Sequence, residues 1–248
     1  GILGLEKSLL VNHQSKSLAT IISNAAALPQ KIKEGIIETF GEGMLHETYG
    51  STEGGIISNL RPKDQLRKQQ CVGQAFPLTS IKILNEEGEE CGPEKVGELF
   101  STSPYLFNGY WNRPEETEEA LQSGWLTVGD LAKKDKDGYL YIVDRKKDMV
   151  ISGGVNIYPR EIEEVMFGHP NINDVAIVGV ADEKWGESLK AFIVTKDKKS
   201  LKPEDVEKFC KGKISNIKIP KIISLIDSIP RNANGKVLKT ELRKKTDG

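Results

Sequence analysis

Residues 144–163, DRKKDMVISGGVNIYPREIE, separate two parts of the chain that differ in their apolar patterns. The stretch begins with five charged residues, and Pro159 stands where proline suits the first turn of a helix. A short charged segment between two units, each with its own apolar pattern, is typical of a domain boundary. We therefore predict a first part over residues 1–146 and a small domain over residues 148–248.

Downstream of this boundary, helical and strand patterns alternate. The helical patterns are PREIEEVMFG, the stretch near residues 203–212 and VLKTELRKK, and the strand patterns are DVAIVGVAD, LKAFIVTKD and IISLID. Helices that alternate with a few strands over about 100 residues are typical of an independent domain. The pattern therefore predicts a small α/β domain.

Upstream, the stretch LATIISNAAAL, residues 18–28, predicts a buried strand that runs into a loop of small residues. The next residues predict a helix that begins near Pro29 and ends before Gly41. Its apolar residues fall on one helical face. These residues are Ile32, Ile36, Ile37 and Phe40.

From residue 71 the pattern changes to short strands and tight turns. TSIKIL and GELFSTS predict strands, and RPEETEEALQ predicts a short helix with Pro114 at its first position. Asp137 and Gly138 together are a strong hairpin signal. Residues 71–143 therefore predict a small, mostly antiparallel sheet or barrel, and the fold class of the whole chain is mixed α/β (α+β).

Composition excludes several classes of function. With 35 Lys and Arg against 36 Asp and Glu, the net charge is −1, so no basic field indicates binding to nucleic acid or to an anionic membrane. No apolar run approaches the roughly 20 residues of a membrane span. The first residues lack the basic leader and apolar core of a signal peptide, so we expect none.

The cysteines and histidines do not have the spacing of a metal site. Cys71, Cys91 and Cys210 are scattered, which favours free thiols in a reducing compartment. We therefore expect a cytoplasmic location, and we leave a peripheral association with a membrane open. The sequence predicts nothing about oligomeric state.

Four motifs occur in the order YGSTE (49–53), GWLTVGD (124–130), the boundary stretch (144–163) and PRNANGK (230–236). Each alone has an ordinary interpretation: a turn, a capping carboxylate, a Gly-Gly turn or a solvated lysine. Together they closely resemble the acyl-adenylate-forming superfamily, which includes acyl-CoA synthetases, firefly luciferase and nonribosomal peptide adenylation domains. The resemblance covers essentially the whole chain, and ISGGVNIYPREIE is most similar to the acid–CoA ligase branch.

The resemblance implies both a fold and a reaction. The fold is the C-terminal part of the large adenylate-forming domain, with its sheet or barrel subdomain, followed by a small, mobile C-terminal domain. The reaction condenses a carboxylic acid with ATP, releases pyrophosphate and passes the acyl group from AMP to CoA. The implied cofactors are ATP or AMP, Mg²⁺ and coenzyme A. The favoured acid is a fatty acid of medium or long chain, and an aryl acid stays open as an alternative.

In the first part, the resemblance implies that Tyr49 packs on adenine, Thr52 contacts the α-phosphate and Glu53 holds Mg²⁺. The residue types suit these roles, because a hydroxyl donates to phosphate oxygens and a carboxylate is a hard ligand. Gly50 belongs to the same nucleotide loop. Ala25 and Ala26 stand beside the adenine and acyl pocket, where the family has glycines.

The same resemblance implies that Asp130 and Arg145 contact the ribose. A carboxylate can accept hydrogen bonds from both ribose hydroxyls. The family more often has Thr-Gly-Asp where this chain has Val128 before the Gly-Asp pair. This departure puts in doubt the hydroxyl contacts of the loop, not the role of Asp130.

In the second part, the resemblance makes Lys147 the hinge between two domain arrangements. Gly153 and Gly154 line the pantetheine channel, since only glycine lets backbone approach a ligand so closely. Asn156, at the end of that loop, is a further candidate for cofactor binding. Lys236 matches the mobile lysine that reaches the carboxylate and α-phosphate oxygens during adenylation.

One element of the family pattern is missing from these residues: the Ser/Thr/Gly-rich loop that cradles the β- and γ-phosphates. We therefore expect this chain to be the C-terminal half of a ligase and to be inactive in adenylation by itself. Two alternatives stay open. One is an adenylation domain that loads a carrier protein, and the other is a non-catalytic interaction module of the same fold.

Overall fold

The computed structural model describes residues 18–26, 28–196, 201–233 and 235–245. The chain divides into two compact units between Ile142 and Val143. The start of the chain, where we expected no leader, and Asn234 of the PRNANGK motif lie outside the described residues. The hinge at Lys147 stays a prediction.

The first sheet of the first unit combines parallel and antiparallel pairing. Its strands are β1 (Ile21–Ser23), β2 (Leu45–Ser51), β3 (Gly55–Leu60) and β4 (Gln74–Ala75). They lie in this order, with β1 parallel to β2 and the other neighbours antiparallel. Helix α1 (Gln30–Phe40) connects β1 to β2 and ends at Gly41, whose φ of 95° and N–H bond to Ile37 close the last turn.

The burial expected of the first strand was wrong, and the next helix has an unexpected inward residue. Strand β1 forms, but Ile22 is 64% exposed, because β1 is an edge strand that pairs with β2 on one side among the described residues. In α1, Ile32 is exposed, whereas Lys33 is only 1% exposed. Lys33 forms a buried ion pair with Glu47 of β2, so a charged residue occupies the inward position of the helix.

The second sheet of this unit is antiparallel, as predicted. Its strands are β5 (Ser80–Leu84), β6 (Gly97–Thr102), β7 (Leu121–Gln122), β8 (Trp125–Leu126), β9 (Asp130–Lys134) and β10 (Leu140–Arg145). Among the described residues their order is β10-β9-β6-β8-β7, with β5 on β6, and α2 (Pro114–Ala120) precedes β7. Upstream of β5, Val72 and Gly73 bond to Leu140 of β10, whereas β4 pairs with β3 of the first sheet.

The second unit is an α/β domain with helices on both faces of its sheet. Its strands are β11 (Val150–Ser152), β12 (Val155–Ile157), β13 (Ile172–Asp182), β14 (Gly186–Thr195) and β15 (Ile222–Leu225). Its helices are α3 (Pro159–Phe167), α4 (Pro203–Cys210) and α5 (Lys239–Lys244). The order is β12-β11-β14-β13, with β15 parallel to β14.

Successive residues of β13 alternate between the cores on the two faces of the sheet. Val175 and Ile177 belong to the core beneath α3 and α4, whereas Ala176 and Val178 belong to the core beneath α5. Successive strand residues point to opposite faces, so a nearly continuous apolar run indicates a strand buried on both sides. The mixed α/β class predicted from the sequence is therefore confirmed. None of the described helices is long and apolar enough to cross a membrane.

Candidate functional site

The β2–β3 hairpin holds four of the predicted site residues of the first unit. Tyr49 and Gly50 lie on β2, and Thr52 and Glu53 form the turn that leads to β3. A Cβ atom at Gly50 would lie 2.0 Å from the carbonyl oxygen of Gly55, so no side chain fits there. Glycine thus permits the close approach of the two strands that brings Thr52 and Glu53 to the hairpin end.

Tyr49 contacts a residue from a second motif. Its hydroxyl donates a hydrogen bond to Oδ2 of Asp130 over 2.5 Å, although the two residues are 81 positions apart. Asp130 begins β9 and is buried, and Tyr49 is half-buried against the core of the second sheet. The structure therefore joins the residues predicted to contact adenine and ribose.

The loop before Asp130 has hydroxyl contacts despite the valine at position 128. The Thr127 hydroxyl donates to Oε1 of Glu98 over 2.7 Å and accepts the Gly129 N–H over 3.2 Å. This hydroxyl comes from the residue before Val128. Gly129, with φ of 73°, then directs the chain into β9.

Glu53 has a partner that sequence reasoning missed. The Tyr110 hydroxyl donates to Oε1 of Glu53 over 2.7 Å, and the Phe107 N–H donates to the carbonyl oxygen of Glu53 over 2.8 Å. Burial and the neighbouring Glu53 carboxylate raise the pKa of Tyr110 to about 12. The exposed Thr52 hydroxyl has no hydrogen-bond partner within the part of the chain that the structure describes.

Ala25 and Ala26 follow β1 and are exposed. Ala25 has φ of 72°, a left-handed conformation that favours glycine. The backbone thus keeps a conformation suited to glycine at a position where this chain has alanine.

In the second unit, Gly153 and Gly154 form the two-residue turn of the β11–β12 hairpin. Their φ values of 56° and 78° are both positive, as a type I′ turn requires, and Ser152 pairs with Val155. We predicted the turn but not its strands, which have three residues each and show no clear alternation. Asn156 is exposed on β12.

The two glycines differ in their surroundings. A Cβ atom at Gly153 would lie 2.8 Å from the Trp185 indole, whereas one at Gly154 would meet nothing within 4 Å. The Gly153 N–H also donates to the Trp185 carbonyl oxygen over 2.8 Å. Trp185, which we did not predict, therefore covers one side of the turn and leaves Gly154 open.

Lys236 lies at the end of a closed turn. The Asn232 N–H donates to the Lys236 carbonyl oxygen, and the Lys236 N–H donates to Oδ1 of Asn232, both over 2.9 Å. Arg231 donates to the Gly235 carbonyl oxygen over 2.8 Å and to both carboxylate oxygens of Asp174 over 3.0 and 2.8 Å. Arg231 therefore fixes this turn to β13, and the Lys236 side chain is exposed.

The predicted hinge residue lies in a short 3₁₀ turn, Lys146–Asp148. The Arg243 guanidinium donates to the Lys147 carbonyl oxygen over 3.3 Å and to Oδ1 of Asp148 over 2.8 Å. The Lys147 side chain is exposed, so only its backbone is held by this contact.

Arg145 is positioned by its neighbour Asp144, a buried residue that sequence reasoning did not single out. Oδ1 of Asp144 accepts the Arg145 N–H over 2.8 Å, and Oδ2 accepts the Arg160 N–H of α3 over 2.9 Å. Asp144 lies on β10, and its carboxylate reaches the N-terminal end of α3, where a negative charge is favourable.

The predicted residues fall into separate groups. The first unit brings Tyr49 and Asp130 into contact and places Thr52 and Glu53 in the adjacent turn. In the second unit, the Gly153–Gly154 turn and Lys236 lie on different loops.

Comparison with known proteins matches both units. The model of the AMP-binding enzyme family matches residues 5–111, and the model of the AMP-binding enzyme C-terminal domain matches residues 161–236. A long-chain-fatty-acid–CoA ligase of Escherichia coli O157:H7 is 36% identical over 100% of this chain and 45% of its own length. An indoleacetate–CoA ligase of Aromatoleum aromaticum is 37% identical over 92% of this chain and 44% of its own length.

A solved structure has the same fold. The o-succinylbenzoate CoA synthetase of Bacillus subtilis, in complex with its acyl-adenylate intermediate, superposes with a TM-score of 0.86 at 33% identity. The match covers 95% of this chain and 48% of that one. The chain thus spans less than half the length of each of these three relatives, and the fold predicted from its motifs is confirmed.

Proposed function

Because this chain belongs to the AMP-binding enzyme family, we propose that it is part of an AMP-forming acid–CoA ligase. Such an enzyme joins a carboxylate to the α-phosphate of ATP, releases pyrophosphate and transfers the acyl group from AMP to CoA. The name of the E. coli relative favours a fatty acid, and that of the A. aromaticum relative makes an aryl acid the alternative. The observation that carries the proposal is the Tyr49–Asp130 hydrogen bond.

That hydrogen bond supports a single adenosine site in the first unit. The Tyr49 ring would support adenine, and Asp130 would accept the ribose hydroxyls. Arg145, which lies past the division between the units, is retained as a proposed ribose contact. A carboxylate has about four acceptor positions, so the bond from Tyr49 leaves capacity for a ligand. Ala25, Ala26 and Gly50 would line the same nucleotide site.

We assign phosphate binding to the end of the β2–β3 hairpin. The exposed Thr52 hydroxyl is able to donate to an α-phosphate oxygen, and Glu53 offers a hard oxygen ligand to Mg²⁺. No cluster of three or more metal-binding side chains occurs among the described residues. One carboxylate fits Mg²⁺ nonetheless, because this ion is usually held by one or two carboxylates together with substrate phosphates. Bound there, Mg²⁺ would neutralise phosphate charge.

Lys236 would stabilise the charge that develops as the acid attacks the α-phosphate. Its ammonium stands on a long flexible stem, while the Arg231 contacts hold the turn beneath it. In the second half-reaction, Gly154 would line the path of the pantetheine arm, since its surroundings are open, and Asn156 would lie close to that path. A change of backbone conformation at Lys147 would separate the two half-reactions.

We also propose a cytoplasmic location. All three cysteines are free thiols, and two of them, Cys71 and Cys210, are buried. Burial raises the pKa of the Cys71 thiol to about 11, so it is a poor nucleophile and a poor metal ligand. The cysteines thus have no assigned chemistry in this proposal.

The test uses a full-length protein that carries this chain. We expect acid-dependent exchange of pyrophosphate into ATP, strongest with a fatty acid, followed by thioester formation with free CoA. The 248-residue chain alone should show no exchange. Transfer only to a carrier protein would favour the carrier-loading alternative, and no exchange and no nucleotide binding by the full-length protein would favour the interaction module.

A further inference from the structure

The segment 107–110 holds Glu53 at two points. The Phe107 N–H donates to the Glu53 carbonyl oxygen over 2.8 Å, and the Tyr110 hydroxyl donates to Oε1 of Glu53 over 2.7 Å. One contact fixes the backbone of the hairpin end, and the other fixes the carboxylate. None of the four sequence motifs includes this segment.

The segment is itself anchored independently of Glu53. The Tyr110 N–H donates to the Thr117 hydroxyl of α2 over 2.9 Å, and this hydroxyl donates to the Arg113 carbonyl oxygen over 2.7 Å. The Phe107 and Tyr110 rings meet edge to face, with centroids 4.8 Å apart. The position of Tyr110 is therefore set by contacts other than the one with Glu53. Its hydroxyl is a fixed donor that orients the Glu53 carboxylate.

A fixed donor matters because the last torsion of a glutamate side chain has a broad, two-fold preference. A hydrogen bond to Oε1 therefore selects the plane of the carboxylate and the direction of Oε2. A hydroxyl donor does this without adding a positive charge that would oppose a cation beside Glu53, as lysine or arginine would.

We propose that Tyr110 is a positioning residue for Glu53, which orients the carboxylate toward the cation that accompanies the nucleotide phosphates. This inference rests on the proposed function. It brings the sequence GYW, residues 109–111, and helix α2 into the support of the phosphate site, although neither belongs to the four motifs.

The experiment measures nucleotide binding by isothermal titration calorimetry in a full-length protein with Tyr110→Phe. We expect the affinity for ATP with Mg²⁺ to fall about 10-fold, the size typical of a hydrogen bond to a charged group. The affinity for AMP without Mg²⁺ should not change. In assays, adenylation should need more Mg²⁺, whereas transfer from pre-formed adenylate to CoA should be normal.

Tyr105→Phe is the matched control. Tyr105 lies in the same loop, is exposed, and its hydroxyl has no hydrogen-bond partner within the described ranges. The same chemical change there should leave all of these quantities at their original values. An equal effect of both substitutions would overturn the proposal.

Glu53→Gln and the double variant separate this inference from the proposed function. If Tyr110 acts through Glu53, the double variant should bind ATP with Mg²⁺ no more weakly than Glu53→Gln alone. Strictly additive losses, or equal losses for AMP and for ATP with Mg²⁺, would assign Tyr110 a merely structural role. If Glu53→Gln lowers the affinity for ATP with Mg²⁺ and Tyr110→Phe does not, the inference about Tyr110 fails and the proposed function stands. If neither substitution lowers this affinity, both fail.

Discussion

Tyr49 donates a hydrogen bond of 2.5 Å to Asp130, and this bond couples two motifs that lie on different sheets. We expect Tyr49→Phe to keep the aromatic face but to lower the affinity for AMP about 10-fold, because the ribose carboxylate loses its neighbouring donor. The effect should shrink for 2′,3′-dideoxy-AMP, which lacks the ribose hydroxyls. Calorimetric titration with both nucleotides measures this, and equal losses for both would argue against a role at the ribose.

Lys236→Ala should slow adenylate formation by about 10²- to 10³-fold in a full-length protein, since it removes a group that acts mainly in the transition state. Transfer of the acyl group from pre-formed adenylate to CoA should be nearly normal. Single-turnover assays of the two half-reactions distinguish these steps.

The matched control for Lys236 is Lys244→Ala, because Lys244 is exposed on the last helix. Lys239 is unsuitable, since its ammonium forms an ion pair of 2.8 Å with Glu163. If Lys236→Ala proved as mild as Lys244→Ala in adenylation, Lys236 would be an ordinary solvated lysine.

Gly154→Leu should block acyl transfer to CoA while adenylation continues, because the new side chain enters the open space beside the turn. Gly154→Asn is the control for backbone strain, as asparagine tolerates positive φ better than leucine does. We expect it to retain more of the transfer activity. Thioester formation from isolated adenylate is the measurement, and equal loss of both half-reactions would indicate a folding defect instead.

Ala25→Gly should stabilise the protein by about 0.5–1 kcal/mol, since glycine adopts the observed φ of 72° without a Cβ clash. Ala26→Gly should instead be neutral or destabilising, because Ala26 does not have positive φ. Urea unfolding of both variants measures the difference. A loss of stability with Ala25→Gly would contradict the assigned backbone strain.

Limited proteolysis should cleave the chain within residues 144–148 before it cleaves elsewhere. Arg243→Ala should make this cleavage faster. Arg243 holds the carbonyl of Lys147 and the carboxylate of Asp148, so its removal frees the backbone of the predicted hinge. Time courses followed by mass spectrometry locate the cut. Unchanged cleavage in the variant would show that this contact does not restrain the hinge.

The sequence predicted well those features that depend on local pattern. The apolar run of β13, the proline at the start of α3 and the glycines of the 153–154 turn each determine their conformation within a few residues. The Tyr49–Asp130 contact could not be derived from pattern alone. Only the resemblance, which assigned both residues to one nucleotide, brought them together in advance.

Features that depend on a distant partner were missed. Glu53, the partner of Tyr110, is 57 positions away. Neither the periodicity of apolar residues nor secondary-structure propensity predicts such a contact. The inward position of Lys33 likewise requires Glu47, on a different element, and the helical pattern alone favoured Ile32. Tertiary pairing overrode local preference at both places.

The buried Lys33–Glu47 ion pair also constrains how this sequence can evolve. Removal of one partner leaves an uncompensated buried charge, at a cost of about 3–5 kcal/mol. That is a large share of the roughly 5–15 kcal/mol that keeps a domain folded. Replacement of both residues by apolar ones of similar volume is often neutral. In descendants of this protein, positions 33 and 47 should therefore change together or stay as they are.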